Sequence, residues 1–270
     1  MRPIRSHGWG DSLSVSDDLM SCAGIVQKGD PDRFAAVLAA RPAARDVLLP
    51  IYAFNVEVAR APWVTQESMI AEMRLQWWRD ALEEIRAGGL VRRHDVVTPL
   101  ALVIDADGAT VLDRLIVARR WDVYRDPFED AAHFESYLAD TGGGLMQVAA
   151  QALGSCPAEV AQDVGYALAL ANWLRAIPAL EAEKRVPLLD GRPEAVATLA
   201  QDGLVRLARA QVRRGEVSKP ARQAFLAAWE AGAILTQAAR EPERVANGAL
   251  GQSEFAKRVG LMWRAASGRY

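Results

Sequence analysis

Between Glu67 and Ala87 the apolar residues Leu75, Trp78, Leu82 and Ile85 recur at steps of three and four, and Gly88-Gly89 closes the run. That spacing is one face of an α-helix, and a chain that repeats it must bury helix against helix. Hydrophobic residues make up 51% of the 270 residues but aromatics only 7%, so the apolar content comes mostly from Ala, Leu and Val. Ala and Leu are strong helix formers, and the β-branched and aromatic runs that favour strands are scarce. The expectation is an all-α, single-domain bundle large enough to bury a continuous core.

Helix punctuation supports this. Asp30-Pro-Asp-Arg33 reads as a start, with Asp30 as N-cap and Pro31 at the first helical position. That helix should carry Phe34, Val37 and Leu38 inward and end at Pro42. The next runs from about Ala43 to Arg60 around Leu48, Leu49, Tyr52 and Phe54, with Pro50 expected to kink or restart it. Thr98-Pro99 opens a helix through Val103, and Val111 to Val117 belongs to another. Asp126-Pro-Phe-Glu129 has the form of a capped start for a helix holding Phe134, Tyr137 and Leu138. Gly142-Gly-Gly144 interrupts or loosens the chain, Gly154 reads as a C-cap, and Pro157 starts a helix to Pro178. After Asp190-Gly-Arg-Pro193, three Ala-rich helices reach about Arg214, Gly232 and Ser267. Residues 1–16 read as a polar, flexible N-terminus and 17–270 as one helical domain, without repeats or a linker.

Composition narrows function. A net charge of −2 lacks the basic footprint that nonspecific nucleic-acid binding requires, so no nucleic-acid partner is expected. Cys22 and Cys156 are too few for a zinc cluster, and His7, His94 and His133 lie on separate elements, so no metal site is expected from them. The N-terminal residues have no apolar stretch behind their basic ones, and no segment approaches ~20 uninterrupted apolar residues.

Two segments carry the chemistry. The first is Tyr52-Ala-Phe-Asn-Val-Glu-Val-Ala-Arg60, the second Ala171-Asn-Trp-Leu-Arg-Ala-Ile-Pro178, and Met73-Arg-Leu-Gln-Trp-Trp-Arg-Asp-Ala-Leu82 lies between them. Together they resemble the squalene/phytoene synthase family of all-helical prenyl transferases. The family's first motif, Tyr-Ala-Phe-Cys-Arg-x-x-Asp-Asp-x-x-Asp, laid on Tyr52 puts its acids at Ala59, Arg60 and Trp63. Its second matches Asn172, Leu174, Arg175, Arg185 and Leu188, with its acids falling on Ala176, Ala179 and Leu180. In the family such carboxylates, four apart on facing helices, clamp Mg²⁺ and a diphosphate. Glu57 is the best remaining carboxylate, because Asp80 and Glu84 face away from the apolar stripe. Ala53 to Ala59, Met73 to Trp78, Asp30 to Arg33 and Tyr137-x-x-x-Thr141 are similar to a divergent branch of the family. That branch includes the mitochondrial assembly factor for respiratory complex I and bacterial relatives.

The resemblance implies an isoprenoid-synthase-like helical fold around a central cavity, over roughly residues 20–265. Asn55, Glu57, Arg60, Asn172, Arg175 and Arg185 would form the remnant of its site. A buried Arg175 needs a carboxylate, and Glu57 across the cavity is the expected partner. Arg74, Gln76, Trp77 and Arg79 read either as a recognition surface or as an ion-paired helix face with Trp78 in the core. The row Arg206, Arg209, Arg213, Arg214, Lys219 and Arg222 reads as a solvated face or a contact for anionic lipid. Without its acids, such a protein is expected to be a non-catalytic binding or assembly factor without a cofactor. Its partner would be a protein of respiratory-complex biogenesis, and its place the cytoplasm with peripheral contact at the inner membrane. Two alternatives stay open: a Mg²⁺-dependent prenyl transferase condensing isoprenyl diphosphates through substituted ligands, and an isoprenoid or lipid carrier.

Overall fold

Burial along α10 (Ala158–Ala182) explains the architecture: Val160, Val164, Leu170, Ala171, Leu174 and Ile177 leave no solvent-facing stripe along most of its length, so it must be surrounded. A computed structural model describes residues 9–65 and 67–268, and every regular element among the described residues is helical. The chain runs through α1 (Trp9–Gly29), α2 (Pro31–Ala39), α3 (Pro42–Arg60), α4 (Ser68–Ala87), α5 (Val97–Val103) and α6 (Ala106–Arg119). It continues through α7 (Trp121–Tyr124), α8 (Ala131–Leu138), a π-turn (Ala139–Gly143) and α9 (Gly144–Leu153) into α10. Beyond α10 lie α11 (Pro193–Val212), two 3₁₀ segments (Arg213–Glu216 and Ala221–Ala228), α12 (Ala231–Arg240), α13 (Glu243–Ala246) and α14 (Glu254–Ser267). One wall of the bundle is α1, α3 and α5, with α4 against α6; α10, α11 and α12 form the other, and α9 packs on both. One apolar core unites them.

The all-α expectation holds, as do several of its signals. Asp30 caps α2 by accepting from the Arg33 N–H at 3.0 Å, Gly88 ends α4 at φ 69°, and Gly154 caps α9. Leu75, Trp78, Leu82 and Ile85 are all buried.

Other boundaries move where burial outweighs local signals. Pro50 does not restart α3, which runs unbroken past it, because Leu48, Ile51, Tyr52 and Phe54 are buried around it and hold the helix through the missing N–H. α10 likewise passes Pro178 to Ala182. Leu38 faces solvent rather than the core. The cap before α8 is Asp130, accepting from His133 N–H at 2.8 Å, and not Asp126. Phe128 is buried against Trp121, ring centroids 4.0 Å apart, which pulls residues 126–129 off a helical path. The expected helix to Gly232 is a 3₁₀ segment ending at Ala228, with α12 starting at Ala231. Gly142 to Gly144 loosen the chain only into a π-turn, which lets its backbone approach α10 at Gly165. Residues 1–8 lie outside the described residues, and α1 is already helical at Trp9, inside the stretch read as a polar tail.

Candidate functional site

Asn55, Ala59 and Arg60 sit on the last two turns of α3 and open into a cavity of about 810 Å³. α1 contributes Lys28 and Gly29, the start of α2 gives Asp30 and Arg33, and the end of α6 gives Arg119. Four cations and one carboxylate therefore line it. Asp30 is committed elsewhere, capping α2 and pairing with Arg33, whose guanidinium also lies 5.6 Å from the centroid of the Tyr52 ring. Arg60 pairs with Glu57 one turn back at 3.0 Å. Asn55 is 6% exposed and faces the cavity.

The residues of the second motif line a different cavity, about 330 Å³, on the other side of the Gly29–Arg33 turn. There Arg175 does not meet Glu57. It donates to Glu230 at 3.1 Å, to Asp32 at 2.9 Å and to Asn172 Oδ1 at 3.3 Å. Lys257 of α14 completes the cluster at 3.7 Å from Glu230 and 3.9 Å from Asp32. Burial, and then Asp32 beside it, push Glu230 above the ordinary carboxyl range. Burial acts on Asp32 too, but its hydrogen bond from Arg175 and the nearby cations hold it below. The expected pairing fails because Glu57 is satisfied on its own helix, while α2 and the residue before α12 bring acids to Arg175.

Arg185 belongs to a third group. α10 closes with Lys184 at φ 61°, its N–H on Glu181 O and the Arg185 N–H on Leu180 O, a six-to-one return that turns Arg185 back into the protein. Arg185 is 5% exposed, donates to Asp122 O at 2.5 Å, and lies 4.4 Å from the Trp63 ring centroid and 5.9 Å from that of Trp121. Its Nε and Nη1 have no hydrogen-bond partner. Burial lowers its pKa. Beside it Arg119 donates to Tyr137 Oη at 2.7 Å and Asp122 at 3.1 Å, while Tyr137 donates to Asp122 at 2.9 Å. Trp63 thus stands at a position of the family's acids and covers a cation instead.

The other sequence-marked residues are largely engaged within the fold. Trp77 is half-buried, edge-on to Trp78, and carries Arg92 4.8 Å from its centroid. Arg79 is bidentate on Asp113, Gln76 donates to Asp80, and Arg74 is exposed. In the basic row, Arg206 and Arg209 meet Asp163, Arg213 meets Glu216, and Arg214 and Arg222 bond to carbonyls. Lys28, Arg33, Arg119 and Glu230 were not foreseen. The one usable signal was Glu230, an isolated acid in the apolar run Ala227-Ala-Trp-Glu-Ala231, which implies a buried partner.

Magnesium demands several oxygen ligands in a tight octahedron. The wall at Ala59, Arg60, Lys28, Arg33 and Arg119 offers cations, and its single carboxylate is already bonded, so these residues do not fit the ion. No group of three or more His, Cys, Asp or Glu that could hold a metal occurs among the described residues.

An all-helical bundle of this architecture is the class of fold shared by isoprenoid synthases. A dehydrosqualene synthase crystallised with ligand is similar at a TM-score of 0.77, 15% identity, over 94% of this chain and 97% of that one. The squalene synthase HpnC from Alicyclobacillus acidocaldarius is similar at 0.69 and 16%, over 86% and 96%. The squalene/phytoene synthase family model matches residues 26–188, more than half of the chain, and the protein belongs to that family. Among curated proteins, complex I assembly factor 6 of Bos taurus is 23% identical over 67% of this chain and 56% of its own length. The Drosophila melanogaster homolog is 26% identical over 68% and 58%. The chain thus spans a little over half the length of these relatives.

Proposed function

We propose that this protein is a non-catalytic member of its family that acts by binding, in the biogenesis of a respiratory complex. The observation that carries the reading is the cation-lined wall at Asn55, Ala59 and Arg60, which lacks the carboxylates a Mg²⁺–diphosphate cluster needs. Similarity to proteins named for complex I assembly supports the assembly role and a protein partner there. The exposed Arg74, with Gln76, Trp77 and Arg79 beside it, is the proposed recognition face.

Peripheral contact with a membrane is part of the proposal. Among the described residues no helix is long and apolar enough to cross a membrane. However, α14 exposes Phe255, Val259, Met262 and Trp263 at helical spacing beside Arg258, the pattern of a helix lying in a headgroup region. Isoprenoid carriage would use the same cavity, whose basic wall suits an anionic head better than a bare hydrocarbon.

Incubation with farnesyl or geranylgeranyl diphosphate and Mg²⁺ tests the reading. No release of diphosphate is expected, and clear turnover would overturn it in favour of a prenyl transferase with substituted ligands.

A further inference from the structure

We propose that a pocket of about 460 Å³ between α8, α11 and the loop after α10 docks a segment of a partner protein that carries a large apolar side chain beside a lysine or arginine. It shares no lining residue with the two cavities described above, and the proposal stands whether or not the chain is catalytic. Buried Phe134 and Tyr166 and half-buried Leu188 and Leu199 line it. Leu189 and Val205, 50% and 55% exposed, mark its mouth. Aliphatic side chains left half in water around an apolar pocket give an incoming chain surface to cover beside its anchor. The pocket is already formed. Trp173 Nε1 donates to Pro187 O at 3.0 Å, which pins the loop ahead of Leu188, and Arg206 of α11 pairs with Glu135 of α8. A preformed pocket loses little order on binding.

Its polar groups set the class of partner. Tyr166 is 4% exposed, and its hydroxyl has no hydrogen-bond partner among the described residues, so a buried donor stands unused on the lining. The guanidiniums around it are all committed. Arg206 lies 4.0 Å from the centroid of the Tyr166 ring and pairs with Glu135 and, at 4.0 Å, with Asp163. Arg209 donates to Asp163 at 2.6 Å, and Arg192 pairs with Asp190 at 2.6 Å. Asp202 is exposed and makes no ion pair among the described residues. Four carboxylates, Glu135, Asp163, Asp190 and Asp202, thus meet three guanidiniums, and the surplus is negative. An anion finds no free cation here, although Arg206 and Arg209 belong to the basic row of the sequence. The same surplus repels an anionic lipid surface. A cation next to an apolar anchor meets Asp202 instead, the charge complementarity by which an interface selects its partner.

Selection of random phage-displayed peptides on the immobilised full chain is the test, followed by anisotropy titration of the recovered peptides, synthesised with a fluorescein label. The peptides should bind saturably and share a Leu, Phe or Trp within a few residues of a Lys or Arg. Val205→Asp and Asp202→Lys should each weaken them about tenfold, the scale of one lost anchor contact. Tyr166→Phe should weaken them less, through the hydroxyl alone. The side chains of Val205 and Asp202 are solvent-exposed, so the melting temperatures of those two variants should hold. Selection repeated on the Asp202→Lys protein should return acidic residues in place of the basic ones, a switch that a merely damaged fold does not produce. The proposal is overturned by no saturable peptide, by a consensus without the basic residue, by undiminished binding in either exposed variant, or by a D202K selection that still returns Lys and Arg. Sedimentation adds one more arm: self-association abolished by Val205→Asp would make the occupant a second copy and overturn the proposal too. Peptide binding is read independently of diphosphate release, so turnover with Mg²⁺ would sink the non-catalytic reading and leave this one standing.

Discussion

Replacing Arg175 with Met should destabilise the protein by about 2–3 kcal/mol. Two ion pairs are lost, and their environments differ. The Glu230 side chain is 5% exposed, so its bond from Arg175 at 3.1 Å is a charge-assisted one in a dry setting, worth ~1.5–3 kcal/mol. The Asp32 side chain is 35% exposed, and solvent screening leaves that pair about 0–1 kcal/mol. Lys257 at 3.7 Å from Glu230 remains, which keeps the loss below the ~3–5 kcal/mol of a buried charge left wholly alone. In a chain of this size, each kcal/mol moves the melting temperature by roughly 2–4 °C, so a fall of about 5–10 °C is expected. The assay is chemical denaturation of R175M, E230Q, D32N and the double variants. Coupling of Arg175 with Glu230 should exceed that with Asp32. The sign with pH also follows. A carboxyl whose folded pKa is raised favours folding at low pH and loses that contribution as pH rises through it, and removing Arg175 raises Glu230 further. The R175M deficit should therefore be larger at pH 8 than at pH 5. Coupling of Arg175 with Glu57 and none with Glu230 would refute the reasoning.

Other substitutions probe the scaffold around the site. Gly165→Ala would place a Cβ 2.7 Å from that of Met146, against the π-turn, and should cost about 1–3 kcal/mol by overpacking. Gly143→Ala, whose Cβ meets nothing nearer than 3.4 Å, should be far milder, and equal melting temperatures would contradict this packing. Lys184→Gly relieves a left-handed φ of 61° and should stabilise by up to about 1 kcal/mol in a urea melt. A loss there would mean the lysine makes contacts that outweigh its backbone cost. Burial pushes the Cys22 thiol up to about 12 and Cys156 to about 11, so a disulfide reagent at pH 8 should label both slowly until urea unfolds the chain. Fast labelling of native protein would show local opening.

Much of the fold was legible because helical periodicity and capping are local. Leu75, Trp78, Leu82 and Ile85 announce their own buried face, and Asp30 with Pro31 announces a start that the Arg33 N–H confirms. What could not be read locally was decided by partners distant in sequence. Pro50 and Pro178 stay helical because the surrounding burial outweighs one lost hydrogen bond. Asp130 displaces Asp126 as a cap because Phe128 stacks on Trp121.

The site divides along the same line. That Ala59, Arg60 and Trp63 stand at the acid positions is visible in the sequence, but what those residues do instead is tertiary. Arg60 and Glu57 neutralise one another along α3, which leaves Arg175 to be answered by Asp32, 143 residues away, and by Glu230, 55 residues away. No spacing rule links those positions, since Asp32 on α2 and Glu230 just before α12 reach Arg175 only when the two walls close. The same closure brings Lys28, Arg33 and Arg119 onto one cavity from three separate helices. A site that relied on carboxylates four apart would be written in short motifs. One that relies on cations gathered by packing is not, so for this chain the absence of the motif acids says only which chemistry to look away from, and the charges that replace them say where to look.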